Sequence, residues 1–156
     1  MSKIFFDAPE DWEMSYKVED EDHKDEEGNV FESVFTEFLF ASSRDGKESF
    51  EVCIPHDYVP VDILEDIMLP ELADYLSNSD YIIHDDLNFE QLVNTCQICG
   101  QEAYYYLKQN PDDESADLRI MFCNSEGYLV FINARLYSWK DDDRMISFLA
   151  EHLSFR

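Results

Sequence analysis

The chain has 156 residues, 36 acidic against 11 basic, and a formal net charge of -25. Its 45% apolar content, with 12 Phe, 9 Tyr and 2 Trp, is enough to build a core and argues against intrinsic disorder. Such a charge repels phosphate backbones and anionic membranes, which argues against direct nucleic-acid or lipid binding and leaves basic proteins or cations as natural partners.

Taken in chain order, the sequence predicts a short strand over 4–6 and a second over 12–18. In the second, Trp12, Met14 and Tyr16 alternate with Glu13, Ser15 and Lys17 at the period-2 spacing of a half-buried strand. Seven of the nine residues in 19–27 are acidic, so 19–28 is expected to be an exposed, solvated loop. The aromatic run 30–41 reads as a strand, although Phe31, Val34, Phe35 and Phe38 also fit a helical face; a turn at Ser43-Arg-Asp-Gly46 and a hairpin partner over 48–54 follow. The period then changes. Ile63, Leu64, Ile67, Met68, Leu72, Tyr75 and Leu76 predict an amphipathic helix over 60–76, kinked or restarted at Pro70.

A second helix is expected from caps at Asp85 and Asp86 as far as Lys108, with Phe89, Leu92, Val93, Cys96, Cys99, Ala103 and Leu107 on its apolar face. A hairpin follows, with strands over 118–123 and 128–138 about the turn Asn124 to Gly127. Asp141 to Asp143 then cap a closing helix whose face is Met145, Ile146, Leu149 and Leu153. These elements compose a single α+β domain over 1–156: an antiparallel sheet of about four to six strands packed against about three helices.

The start of the sequence lacks a secretory h-region, no apolar run approaches the roughly 20 residues of a membrane span, and four cysteines without a disulfide framework agree with a cytoplasmic setting. Cys96-Gln-Ile-Cys99-Gly100 resembles a zinc knuckle, and Cys53-Ile-Pro-His56 could supply the other half of a tetrahedral site. Burial of both cysteines on a helical face is the stronger reading, so no cofactor or metal is expected. His23, His56, His84 and His152 lack any recognisable triad context, and phosphate-cradling or metalloprotease motifs are missing, so the protein is read as a non-enzyme.

The charge exceeds the roughly 2 to 8 units that serve solubility in a small domain, and it destabilises the fold by self-repulsion, which points to a use. A surface of roughly 8,000 Å² would carry one net charge per about 300 Å², some threefold more dilute than duplex DNA, so DNA imitation requires the acids to gather on one face. The candidate partner contacts are Glu19, Asp20, Glu21 and Asp22 in the first acidic run, Asp112, Asp113 and Glu114 in a second, and Asp141, Asp142 and Asp143 at the closing helix. Trp139 is a candidate aromatic anchor, with Tyr104, Tyr105, Tyr106 and Tyr137 as further rim aromatics.

The closing strand–helix unit, 127–139 (GYLVFINARLYSW) followed by 141–154, in a small acidic α+β chain resembles the immunity proteins of bacterial polymorphic toxins and contact-dependent inhibition systems. The resemblance assigns no binding residues. It implies an inhibitor that blocks a cognate toxin, often a basic nuclease, by occupying its active site or substrate surface. Phage and plasmid DNA-mimic antirestriction proteins share the acidity and are the alternative; a zinc-stabilised adaptor is the third reading.

Overall fold

A computed structural model describes residues 4–56, 93–110, 112, 114–124 and 127–155. Among these residues nine strands occur in the order β1 (Ile4–Phe6), β2 (Trp12–Lys24), β3 (Val30–Ser43), β4 (Ser49–Pro55), β5 (Asn94–Ile98), β6 (Gln101–Gln109), β7 (Ala116–Cys123), β8 (Leu129–Leu136) and β9 (Leu153–Phe155). A 3-10 turn (Trp139–Asp141) leads into one helix, α1 (Asp142–His152). Seven strands form an antiparallel sheet in the order β2-β3-β4-β8-β7-β6-β5, and β1 pairs with β9 in a separate two-stranded ribbon.

The pleat sorts the sheet into two faces. On one, Leu39, Ala41, Phe50, Val52, Ile54, Ile132, Ala134, Leu118, Ile120 and Phe122 meet across successive strands and are buried with Met145 and Leu149 of α1. Met145 and Leu149 are one helical turn apart and so point at the sheet together. The β1–β9 ribbon closes one side of this core. Phe6 packs edge-on against Phe50 at 5.0 Å, Trp12 stacks on Phe148 at 4.9 Å, and the Asp7 amide donates to the His152 carbonyl at 2.8 Å.

The expectation of an α+β fold with about three helices is corrected: the protein is predominantly β, the sheet has seven strands, and α1 is the one α-helix among the described residues. The predicted helix over 60–76 lies outside the described residues, as does the start of the second one. The rest of that second helix is wrong. Residues 94–109 form the β5–β6 hairpin, in which Ile98 faces Gln101 across the two-residue turn Cys99-Gly100. Both turn residues have positive φ (52° and 79°), the requirement of a type I′ hairpin turn, and only glycine takes the second without strain. Cys96, Ala103 and Leu107 satisfy a helical and an alternating spacing alike. The aromatic run Tyr104-Tyr105-Tyr106 and Thr95 favour the pleated strand, and pairing with β7 decides it.

Two smaller corrections follow from pairing. The acidic run is exposed as expected, but it is strand rather than loop as far as Lys24, because each residue of β2 finds a partner on β3. Leu153 leaves the helix and pairs with Phe6.

Candidate functional site

Residues 12–43 form a hairpin much longer than the strand that supports it. β4 pairs with β3 only from Thr36 to Ser42, so the outer part of the hairpin, Asp20 to Phe35, extends past β4 as a two-stranded arm with Val18 and Glu19 at its base. Almost every side chain of β2 is exposed. The surface of the chain is 9780 Å², above the roughly 8,000 Å² expected for a compact body of its mass.

The arm gathers the densest charge of the molecule. Glu19, Asp20, Glu21, Asp22, Asp25, Glu26, Glu27 and Glu32 stand against Lys24, a net of seven negative charges. Over a ribbon of roughly 20 Å this approaches one charge per 3 Å of axis, within about twofold of duplex DNA. Part of this charge is engaged locally. Lys17 Nζ reaches Glu19 Oε1 at 2.8 Å, His23 Nδ1 meets Glu32 Oε2 at 3.2 Å, and Ser33 Oγ donates to Asp22 Oδ1 at 2.6 Å. Asp25 builds the tip, its Oδ1 accepting the amides of Glu27 and Asn29 at 2.9 Å each. Asp20 and Glu21 have no ion pair or hydrogen bond to their side chains among the described residues and face solvent.

Apolar side chains share the same hairpin. Of the eight exposed large hydrophobics among the described residues, Met14, Tyr16, Val18, Val30, Phe31 and Phe40 lie on β2 and β3; Phe31 is 67% exposed. α1 packs chiefly against β8 and β5 and reaches β2 through Phe148 on Trp12.

The other predicted contacts collect at the opposite end of the sheet. The Trp139 amide donates to the Glu114 carbonyl at 3.0 Å and its indole N–H donates to the Ser115 carbonyl at 2.6 Å, which brings Glu114 beside Asp141, Asp142 and Asp143. Trp139 is therefore half-buried and holds two segments together, with its polar edge engaged. Asp141 caps the 3-10 turn by accepting the Ser138 amide at 3.2 Å and lies 3.6 Å from Arg144, which also pairs with Glu48. Asp142 and Asp143 occupy the first turn of α1, where the helix dipole favours carboxylates. Asp112 and Glu114 are exposed, and Asp113 lies outside the described residues. The arm tip and this second cluster are separated by the length of β2, roughly 40 Å, so the two do not form one patch.

Sequence reasoning missed a buried polar network at the base of the arm. Glu37 and His56 side chains are 1% and 2% exposed; His56 Nε2 lies 2.7 Å from Glu37 Oε2, and the Tyr16 hydroxyl donates to Glu37 Oε1 at 2.5 Å. His56 stacks on Phe35 at 4.1 Å and its amide donates to the Phe35 carbonyl. Desolvation, reinforced by the Glu37 carboxyl, pushes the Tyr16 phenol up to about 12. The three residues are 19 to 40 positions apart, and the one local signal is a glutamate at an inward position of an otherwise aromatic strand. With Glu37 in the middle, the network cross-links β2, β3 and the end of β4.

The face of the sheet opposite α1 holds a trough of about 570 Å³, in which Arg119 and Arg135 lie among Glu13, Glu51 and Asp117. The cysteine pairs that a zinc site would require are divided: Cys53 lies on this face, whereas Cys96 lies on the face that packs against α1. Cys99 Sγ donates to the Leu153 carbonyl at 3.0 Å. Burial, with the Glu51 and Glu19 carboxylates, raises the Cys53 thiol to about 11, and burial alone does the same for Cys96. Among the described residues no group of three or more His, Cys, Asp or Glu is placed to hold a metal ion, and no helix is long and apolar enough to cross a membrane.

No known family, curated protein or solved structure matches this chain.

Proposed function

We propose that this is a non-enzymatic inhibitor that binds and neutralises a basic protein in the cytoplasm, a toxin domain of nuclease type, in the manner of an immunity protein. The observation that carries the reading is the projecting arm. Like charges at Glu19, Asp20, Glu21 and Asp22 repel one another across a narrow ribbon, an arrangement that costs stability and is relieved by a cationic partner. The exposed Met14, Tyr16, Val18 and Phe31 add the apolar contact that holds a complex once steering has formed it. A nuclease cleft, lined to accept phosphates, is a basic surface of this kind.

The alternative is an anti-defence protein that imitates DNA toward a restriction or host-defence complex, and the near-DNA charge spacing along the arm supports it. Capture from the native cells separates the two: a single basic toxin favours immunity, a restriction complex favours the alternative.

The combined substitution Glu19→Gln, Asp20→Asn, Glu21→Gln and Asp22→Asn tests the shared basis of both. Association with the captured partner is expected to slow at least tenfold, with a smaller change in dissociation, and wild-type affinity to fall steeply between 50 and 200 mM salt on the order seen for several ion contacts. Full protection and salt-insensitive binding by the neutralised protein would sink the proposal.

A further inference from the structure

We infer that the partner adds an extended basic strand to the free edge of β2. This rests on the basic-partner reading and specifies how such a partner is held.

β2 is one edge of the seven-stranded sheet, and among the described residues nothing pairs with its outer side. The register shows which of its backbone groups face outward. On β3 the Ser43 amide bonds to Glu48 and the Phe35 carbonyl to His56, so the odd-numbered residues of β3 direct their backbone groups toward β4. Its even-numbered residues therefore bond to β2, where they face Glu13, Ser15, Lys17, Glu19 and Glu21. The amides and carbonyls of Met14, Tyr16, Val18, Asp20 and Asp22 are then left pointing out of the sheet.

Native edges of this length are blunted by lysines, proline, bulges or a covering element. β2 has no proline, its irregularity falls at the far end between His23 and Lys24, and Lys17 is its one cation before Lys24. Among the described residues, charge is what protects it. A second copy of the chain would set carboxylate against carboxylate along 19–22 and is repelled, whereas a cationic strand is attracted.

The side chains specify the occupant further. Beside 19–22 both faces of the ribbon are acidic, Glu19 and Glu21 on one and Asp20 and Asp22 on the other. Beside 14–18 the face carrying Met14, Tyr16 and Val18 is apolar. The complementary segment has consecutive Lys or Arg residues at one end and an alternating apolar pattern at the other. Main-chain bonds supply affinity in such strand addition, and alternate side chains supply selectivity.

The test uses the full chain and a synthetic peptide of about ten residues, half Lys/Arg and half alternating Val/Thr. A second peptide has the same sequence and charge, N-methylated at alternate backbone positions on the edge that would face β2. Val18→Pro removes one outward amide and leaves every carboxylate and every β2–β3 bond in place. Strand addition predicts at least tenfold weaker binding both for the methylated peptide with the wild-type chain and for the plain peptide with Val18→Pro. Equal binding in those pairs, with loss only when Glu19, Asp20, Glu21 and Asp22 are neutralised, overturns strand addition and leaves the basic-partner reading standing. Binding that survives neutralisation overturns the basic-partner reading instead. The methylated peptide decides the matter even if Val18→Pro disturbs the arm.

Discussion

Glu37 sits where an apolar side chain would be expected, between Phe35 and Leu39 on the core face of β3, and it is satisfied there by Tyr16 and His56. A buried carboxyl with two partners is stabilising only while both bonds are kept, and removing the acceptor strands both donors. Glu37→Ala is expected to cost on the order of 2–4 kcal/mol in urea unfolding. A cost below about 0.5 kcal/mol would place the network outside the folded core. Tyr16 offers an independent check with a definite sign. Its phenol is raised from 10.0 to about 12, so its contribution to stability is complete below pH 10 and is lost as the pH rises through 12. The ultraviolet titration of wild type minus Tyr16→Phe should show one tyrosinate step near pH 12. A difference step at pH 10 would mean that the hydroxyl is not held by Glu37. At this scale the sequence was nearly silent: His56 reads as a candidate partner of Cys53 in a metal half-site, and nothing local pairs it with a glutamate 19 positions earlier.

Elements divide into those whose identity follows from local pattern and those decided by their neighbours. The strands starting at Ile4, Trp12 and Val30, the β3–β4 turn, the β7–β8 hairpin and the start of α1 all follow from alternation, turn residues or caps. The β5–β6 hairpin does not, because Cys96, Ala103 and Leu107 fit both periods and the partner strand β7 lies downstream. The acidic half of β2 fails for another reason. Mutual repulsion predicts a loop, but the ladder to β3 pairs the backbone groups of every second residue and holds the charges extended. The arm is thus a strand under electrostatic load, which has a consequence for association. Neutralising Glu19, Asp20, Glu21 and Asp22 removes the charge that guards the edge, so the variant is expected to self-associate at concentrations where the wild type stays monodisperse. Light scattering of the two proteins at matched concentration checks this. Identical profiles would show that the edge is protected by something other than charge.

Across the whole molecule the net charge amounts to one unit per about 390 Å² of surface, which is dilute beside DNA. Its distribution is uneven. Seven net charges sit on the arm, while a second group of acids lies roughly 40 Å away, partly consumed in capping and in pairing with Arg144. A fold carrying such an excess is destabilised by its own field, so added salt should raise stability by screening it. The urea midpoint is expected to climb between 20 and 500 mM NaCl, and a flat or falling midpoint would mean that the acids are already locally compensated. The same salt that stabilises the chain weakens its complex, an opposition that separates intramolecular repulsion from partner attraction.

The sequence by itself determined the excess of charge, its concentration in a few runs, and most of the strands, because these depend on composition and on spacings of two residues. Only the tertiary structure decided that the first run is a strand whose outer edge nothing pairs among the described residues, that the second and third runs meet through Trp139 at the far end, and that Cys53 and Cys96 fall on opposite faces. The physical reason is common to all three. Pairing register and sheet order are set by contacts between segments tens of residues apart, and no local pattern in either segment carries that information.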